Sequence, residues 1–411
     1  MLSEHQKKIL LILAFVISVI GIGTLLYFMF FAPSSGQISG PIDGITGGNI
    51  TGQLPSAQTG TPTAITTPSE TTENLPEAAE IANGGLTKTN ILTTGSVSGT
   101  SLSLDGKNMN YYDTKDNRFY TINTDGTYTK LSNKQFPDAE NISWNTGGDK
   151  AVIEFPDGSN VVYDFTSEIQ VTLPKHWEEF EFSPANDEII AKSIGLDPDS
   201  RAIVVSNDDG SQVRAVQALG ENADKVQINP SPNDQIIAFS DTGDVQVGGL
   251  DRRMIIPVGK NKENFKGLVV EGLGFEAIWN TRGSTILYSV YGSFSNNKPL
   301  LWVVDGSANS LGGNRRSLGL NTWVDKCVFT DATTAYCAVP QDLPNNSGFQ
   351  PSMYKNTSDD VYKINLTSGS SNLIARPAES TCLKNLFISD DGSTLYYSNA
   401  LNNRLEYIKL K

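Results

Sequence analysis

Histidine, the side chain that most often moves protons near neutral pH, is almost missing from this sequence: His5 and His176 are the two it has. A Ser-His-Asp nucleophile would depend on His176, which sits beside Trp177 with no GxSxG turn to accompany it. His176 therefore reads as a surface-loop residue, and no catalytic residue is assigned. Carboxylates are plentiful, with Asp and Glu together numbering 45. Two of them about 5–10 Å apart could cleave a glycosidic bond, but turn formation and solubility account for most of them first. LDPDS at Leu196–Ser200 and SNDDGS at Ser206–Ser211 gather hard oxygen ligands, yet neither has the DxDxDG order of a calcium loop. We read both as turns and expect no metal and no other cofactor.

The three cysteines are Cys327, Cys337 and Cys382. A three-residue turn at Asp331–Thr333 would set Cys327 opposite Cys337 on a hairpin, whereas a four-residue turn would pair Cys337 with Val328. A disulfide joining Cys327 to Cys337 or to Cys382 leaves one thiol over. Three buried, reduced cysteines are the other reading, and no CxxC spacing suggests a metal.

The element that must position these residues is a recurring hairpin. Leu386–Tyr397, LFISDDGSTLYY, is an apolar strand, a turn on Asp391-Gly392 and a second apolar strand. Degenerate copies occur at Ser101–Tyr112, Ile142–Phe155, Phe180–Ser193, Val226–Phe239, Ala277–Ser289 and Cys327–Cys337, which makes seven. Asp, Asn, Gly and Ser supply the turns, and β-branched and aromatic residues supply the buried strands. A second strand pair follows several copies, as at Arg118–Asn123 with Thr127–Ser132 and at Ala202–Asn207 with Gln212–Leu219. Two hairpins make a four-stranded antiparallel blade, and self-similarity at a period of roughly 40–60 residues marks a repeat fold.

The expected fold class is thus all-β, a seven-bladed propeller over residues 89–411, with a two-sheet sandwich as the alternative. The last copy is followed by a single strand, Arg404–Lys411, and an unmatched strand, Asn90–Ser98, precedes the first copy. If Asn90–Ser98 supplies the missing outer strand, both termini close the ring and remove an unpaired edge.

Ahead of the repeats, residues 1–8 carry Lys7 and Lys8, and residues 9–32 form an apolar run long enough to span a bilayer of about 30 Å. The lysines precede the run, so the positive-inside rule puts the N-terminus in the cytoplasm and the propeller outside the membrane. Residues 33–88 are rich in Thr, Ser, Gly and Pro and read as a disordered linker; a glycosylated stalk shares that composition. The net charge is −14, and Glu4, Lys7 and Lys8 contribute +1, which leaves −15 for the rest. An acidic surface without a basic stripe does not suit nucleic acid.

In a meander of strands A to D, the A–B and C–D turns share one face, and the B–C and D–A connections share the other. The A–B turns are short. The long connections, Lys260–Gly274, Val290–Pro299 and Pro340–Asp360, are assigned to the second face, and Ser307–Asn314 to the first. Insertions on one face of a repeat fold mark a binding face. Within them Phe265, Tyr291, Phe294, Phe349, Met353 and Tyr354, set among Asn and Ser, form the expected contact surface for a protein or glycan.

SPNDQIIAFSDTG at Ser231–Gly243, together with FSPANDEIIAKS and FISDDGSTLYYS, resembles the WD40-like repeat of TolB-type bacterial propellers. Two copies keep Ser-Pro, and an anchor and linker stand where TolB-like proteins carry an α/β domain. The resemblance implies a protein of the bacterial cell envelope whose propeller binds other proteins. Our expectation is a non-enzymatic, membrane-anchored binding module; the alternative is an anchored propeller acting on cell-surface glycans through carboxylates.

Overall fold

A computed structural model describes residues 21–22, 77–248, 251–354 and 357–411. The expected anchor lies outside the described residues except for Gly21 and Ile22, which are helical, and so does the linker as far as residue 76. Among the described residues no helix is long and apolar enough to cross a membrane.

Seven antiparallel sheets follow one another along the chain, each a four-stranded blade. Blade 1 runs through Val97–Leu102, Met109–Asp113, Arg118–Ile122 and Tyr128–Lys130, and the same A-to-D order repeats to blade 6, which ends at Ser370–Pro377. Their turns share one chemistry. Asp391 Oδ1 accepts the Ser393 N–H at 2.9 Å beside Gly392 at φ 66°, and the pair Asp125 and Gly126 does the same with Thr127. Hydrogen bonds from the side chains of Ser389 and Ser393 and from that N–H hold the exposed Asp391 carboxyl down at about 2.

Second strands such as Ile189–Ser193 and Ile236–Ser240 are buried along their whole length, because a neighbouring blade covers each side of the sheet. The core is accordingly divided among the seams. Phe119 and Tyr112 of blade 1 pack on Ile153 and Tyr163 of blade 2, and Tyr396 and Leu405 of blade 7 pack on Met109 and Tyr111 of blade 1. Seven such clusters join successive blades around the ring.

Closure uses both ends of the propeller, in a form more elaborate than expected. Asn90 pairs with Tyr407 and Ile91 with Glu406, so Asn90–Ile91 is the outer strand of blade 7 (Leu383–Ile388, Thr394–Asn399, Arg404–Lys409), while Val97 already begins blade 1. Leu86–Thr87 adds a fifth, parallel strand to blade 6. Pairing starts earlier still, with Ala79 against Thr87 and Ile81 against Lys409. The stretch from 79 to 88, expected to be linker, is therefore part of the fold. Apart from Ala79, which bridges to Thr87, its partners lie at the far end of the chain, at Arg376–Pro377 and Lys409, so local composition carries no sign of them.

Candidate docking face and channel

The face of the A–B turns is laced shut. Asn110 Nδ2 donates to Gly148 O at 2.8 Å, Asn280 Nδ2 to Ala332 O at 2.9 Å, and the Asp390 N–H to Gly106 O at 2.9 Å, each from one blade to the next. Buried Lys260 is clasped by Asp234, with both oxygens at 2.6 Å, and by Glu188. These bonds tie neighbouring blades together on that face.

On the opposite face the B–C loops of blades 5 and 6 interlock. The N–H of Asn346 donates to Asn296 O at 2.9 Å and that of Gly348 to Asn297 O at 2.8 Å, while Asn297 Nδ2 reaches Asn346 Oδ1 at 2.9 Å. Asn296, Asn297 and Asn346 all have positive φ, which asparagine tolerates better than most residues. The approach is close enough that a Cβ on Gly348 would fall 2.5 Å from the Tyr291 ring. Tyr291 meets Phe349 edge-on at 5.0 Å, and Phe294 meets Trp302 edge-on at 6.1 Å.

The resulting platform leaves Phe294 47%, Phe349 54% and Met353 65% exposed. Tyr291 and Tyr354 are half-buried supports, the latter closing the short helix Pro351–Tyr354. Phe265 is not part of it. Residues 260–267 join Arg252–Gly259 to Leu268–Glu271 within blade 4, so they form a C–D connection on the opposite face. The Lys260 N–H, bonded to Gln235 O of the blade's A–B turn, fixes that placement. Lys260–Gly274 is therefore not one connection on the second face: it contains the outer strand Leu268–Glu271, whose short LVVE run is hard to tell from loop by composition.

The channel holds what sequence reasoning missed. Strand A of blade 3, Trp177–Phe182, buries Phe180 and Phe182 and turns Glu179 and Glu181 inward. A bulge between Glu178 and Glu181, with Glu179 at φ 54°, packs three glutamates into four residues. Two cavities of about 690 and 530 Å³ share Glu181, Gln227 and Ile228, and between them they are lined by Glu154, Glu178, Glu179, Glu181, Glu276 and Asp325. Buried Lys192 pairs with Glu179 at 2.6 Å. Glu181 opens onto channel solvent yet is ringed by protein, so loss of bulk water, and then Glu154, pushes its carboxyl up to about 7. Glu154 rises to about 6 by desolvation first, then by Glu178, Glu179 and Glu140. The alternation of Glu with Phe in WEEFEF was the available signal.

Other expected chemistry resolves simply. His176 is exposed in the loop before blade 3. Cys327 and Cys337 face each other across the three-residue turn and are disulfide-bonded, and Cys382 is a buried thiol that burial pushes up to about 11. Among the described residues no group of three His, Cys, Asp or Glu side chains is placed to hold a metal ion.

No family model matches this sequence, and no curated protein matches it. Solved structures do match. The β-propeller domain of Cps50 (Swd1) from Myceliophteria thermophila is 11% identical with a TM-score of 0.51, over 79% of this chain and 100% of that one. The WD40 repeats of RRP9 are 10% identical with a TM-score of 0.51, over 82% and 100%. An oligogalacturonate lyase in complex with manganese is 12% identical with a TM-score of 0.50, over 78% and 89%. Identities this low establish the fold alone: a seven-bladed, WD40-like β-propeller that scaffolds and enzymes share.

Proposed function

We propose that the chain is a non-enzymatic protein-binding module, a TolB-like propeller held outside the bacterial membrane by residues 9–32 and docking an envelope protein on its B–C face. One observation carries the reading: two loops from separate blades are locked together, and among their described residues Phe294, Phe349 and Met353 are the large apolar side chains left exposed, on their shared rim. Preorganised apolar anchors with a polar surround are what a protein interface needs. The test is crosslinking on intact cells with the propeller as bait, comparing the natural protein with the double variant Phe349→Ser, Met353→Ser. Reproducible capture of an envelope protein that the variant loses supports the reading; equal capture by both overturns the platform's role.

A second reading is favoured by the carboxylates of Glu154 and Glu181, whose raised values suit a general acid. It is hydrolysis of a neutral cell-surface glycan in the channel. Acidic glycans such as oligogalacturonate, named for one structural neighbour, would be repelled by the six carboxylates there. Glycan cleavage abolished by Glu181→Gln would favour this reading over the first.

A further inference from the structure

Asn-x-Ser/Thr triplets without a central proline occur at Asn49, Asn141, Asn345, Asn356 and Asn365. On a chain outside the membrane such a triplet is the acceptor for an N-linked glycan, which needs both the carboxamide and the hydroxyl two residues on. Asn49 and Asn356 lie outside the described residues, and composition does not choose among the other three. The fold does.

Two of the three have the hydroxyl taken or hidden. Asn141 sits on the first strand of blade 2, paired with Glu154 and lining the channel, and the Ser143 hydroxyl donates to Phe180 O at 2.7 Å. Asn345 is exposed, but Ser347 is fully buried within the interlocked loops.

Asn365-Leu366-Thr367 differs on both counts. It begins the turn from the third to the fourth strand of blade 6, with Asn365 and Thr367 exposed and Leu366 buried between them. Asn365 Oδ1 accepts the N–H of Thr367 at 2.9 Å and that of Ser368 at 3.0 Å. Its backbone O accepts the Gly369 N–H at 2.8 Å, where Gly369 has φ 78°. The bend is anchored to its neighbours: the Leu366 N–H donates to Thr333 O at 2.7 Å, and the Arg316 guanidinium donates to Leu366 O and Thr367 O. Among the described residues no hydrogen bond engages Asn365 Nδ2 or the Thr367 hydroxyl. The carboxamide is thus fixed by its oxygen, while its nitrogen and the hydroxyl are unclaimed on one exposed bend.

We propose that Asn365 is an N-glycosylation site. Its Nδ2 attacks the anomeric carbon of a lipid-diphosphate-linked oligosaccharide. The C1–O bond breaks, the Nδ2–C1 bond forms, one Nδ2 proton passes to a base on the transferring enzyme, and the lipid diphosphate leaves. The proposal rests on the reading that places the propeller outside the membrane. Thr333 belongs to the A–B turn of blade 6, so the glycan stands on the face opposite Phe349 and Met353 and leaves docking there unobstructed.

The experiment isolates the full chain from membranes of the cells that make it, digests it with trypsin and reads peptide masses. Peptide 364–384, in which Asn365 heads the sole acceptor triplet, is expected to carry a sugar mass, and the Asn141 and Asn345 peptides none. An amidase that cleaves N-linked glycans should remove that mass and leave a carboxylate on the side chain. Asn365→Gln and Thr367→Ala should each lose the sugar completely, and Thr367→Ser should keep it. A bare Asn365 in the natural protein overturns the proposal. So does a sugar mass that survives Asn365→Gln, which would be O-linked to Thr367 or a neighbouring serine. Protease added to spheroplasts separates the two ways of failing. A bare Asn365 on a propeller that the protease cleaves overturns the proposal and leaves the location standing; a bare Asn365 on a protected propeller overturns both.

Discussion

Lys326 holds both oxygens of Asp359 from inside the protein: its Nζ lies 2.8 Å from Oδ1 and 2.7 Å from Oδ2, and both side chains are buried. Asp359 opens the third strand of blade 6, and its Oδ2 also accepts the Leu383 N–H at 2.8 Å, where blade 7 begins. One ion pair thus ties two blades together, beside the seam that the N-terminal segment closes from outside.

A buried pair is costly to form but costlier to break, because removing one partner strands the other charge away from water. Lys326→Met is expected to lower unfolding free energy by about 3–5 kcal/mol, read from urea denaturation. The double variant Lys326→Met, Asp359→Leu should recover most of that loss, since it strands no charge. A double variant as unstable as the single one would show that the hydrogen bond to blade 7, and not charge burial, dominates.

Much of the fold was legible because each blade states itself locally. Asp391-Gly392, Asp125-Gly126 and Asp209-Gly210 make the same turn for the same reason, and apolar runs such as Ile236-Ile237-Ala238-Phe239 fit only a sheet covered on both sides. What depends on closing the ring was not legible. Ile81 and Leu86 find partners more than 280 residues away, at Lys409 and Arg376. Glu181 becomes a channel residue only once seven first strands surround one axis. Asp359 falls in the Asn-, Ser- and Pro-rich run Pro340–Asp360, and nothing local marks it as the partner of Lys326.

The disulfide gives a direct count. Denatured without reductant, the protein should expose one titratable thiol, Cys382, and with reductant three. Replacing Cys327 and Cys337 together by Ala should cost about 2–3 kcal/mol by freeing the unfolded chain, provided the fold is otherwise kept. Three thiols in the unreduced protein would mean that the pair is reduced where it was made.

Ring closure can be tested at Leu92, whose N–H donates to Leu405 O at 2.9 Å. Leu92→Pro removes that donor beside the outer strand of blade 7. The expected loss is roughly 1–3 kcal/mol, with the first proteolytic cuts falling between residues 77 and 97. Unchanged melting and unchanged cleavage would show that the ring holds without this strand.

The channel sets a pH dependence whose sign follows from its carboxyls. Unfolded, Glu154 and Glu181 titrate near the ordinary value of 4.5; folded, they stay protonated to about 6 and about 7. Between those limits the folded state binds more protons than the unfolded one, so these two groups make stability fall as pH rises from about 4.5 to 7, and their effect levels off above that. Glu181 touches channel water, which screens the effect, so its contribution is smaller than the shift alone suggests. Melting temperatures from pH 4.5 to 8 should decline for the natural protein and decline less for Glu154→Gln, Glu181→Gln, which keeps the shape and removes both charges. The variant should also gain stability at pH 8, where the natural protein bears the full repulsion among Glu154, Glu178, Glu179 and Glu181. Identical pH profiles for the two proteins would mean that channel water hydrates these carboxylates as fully as bulk solvent does, and the basis for a general acid in the channel would go with it.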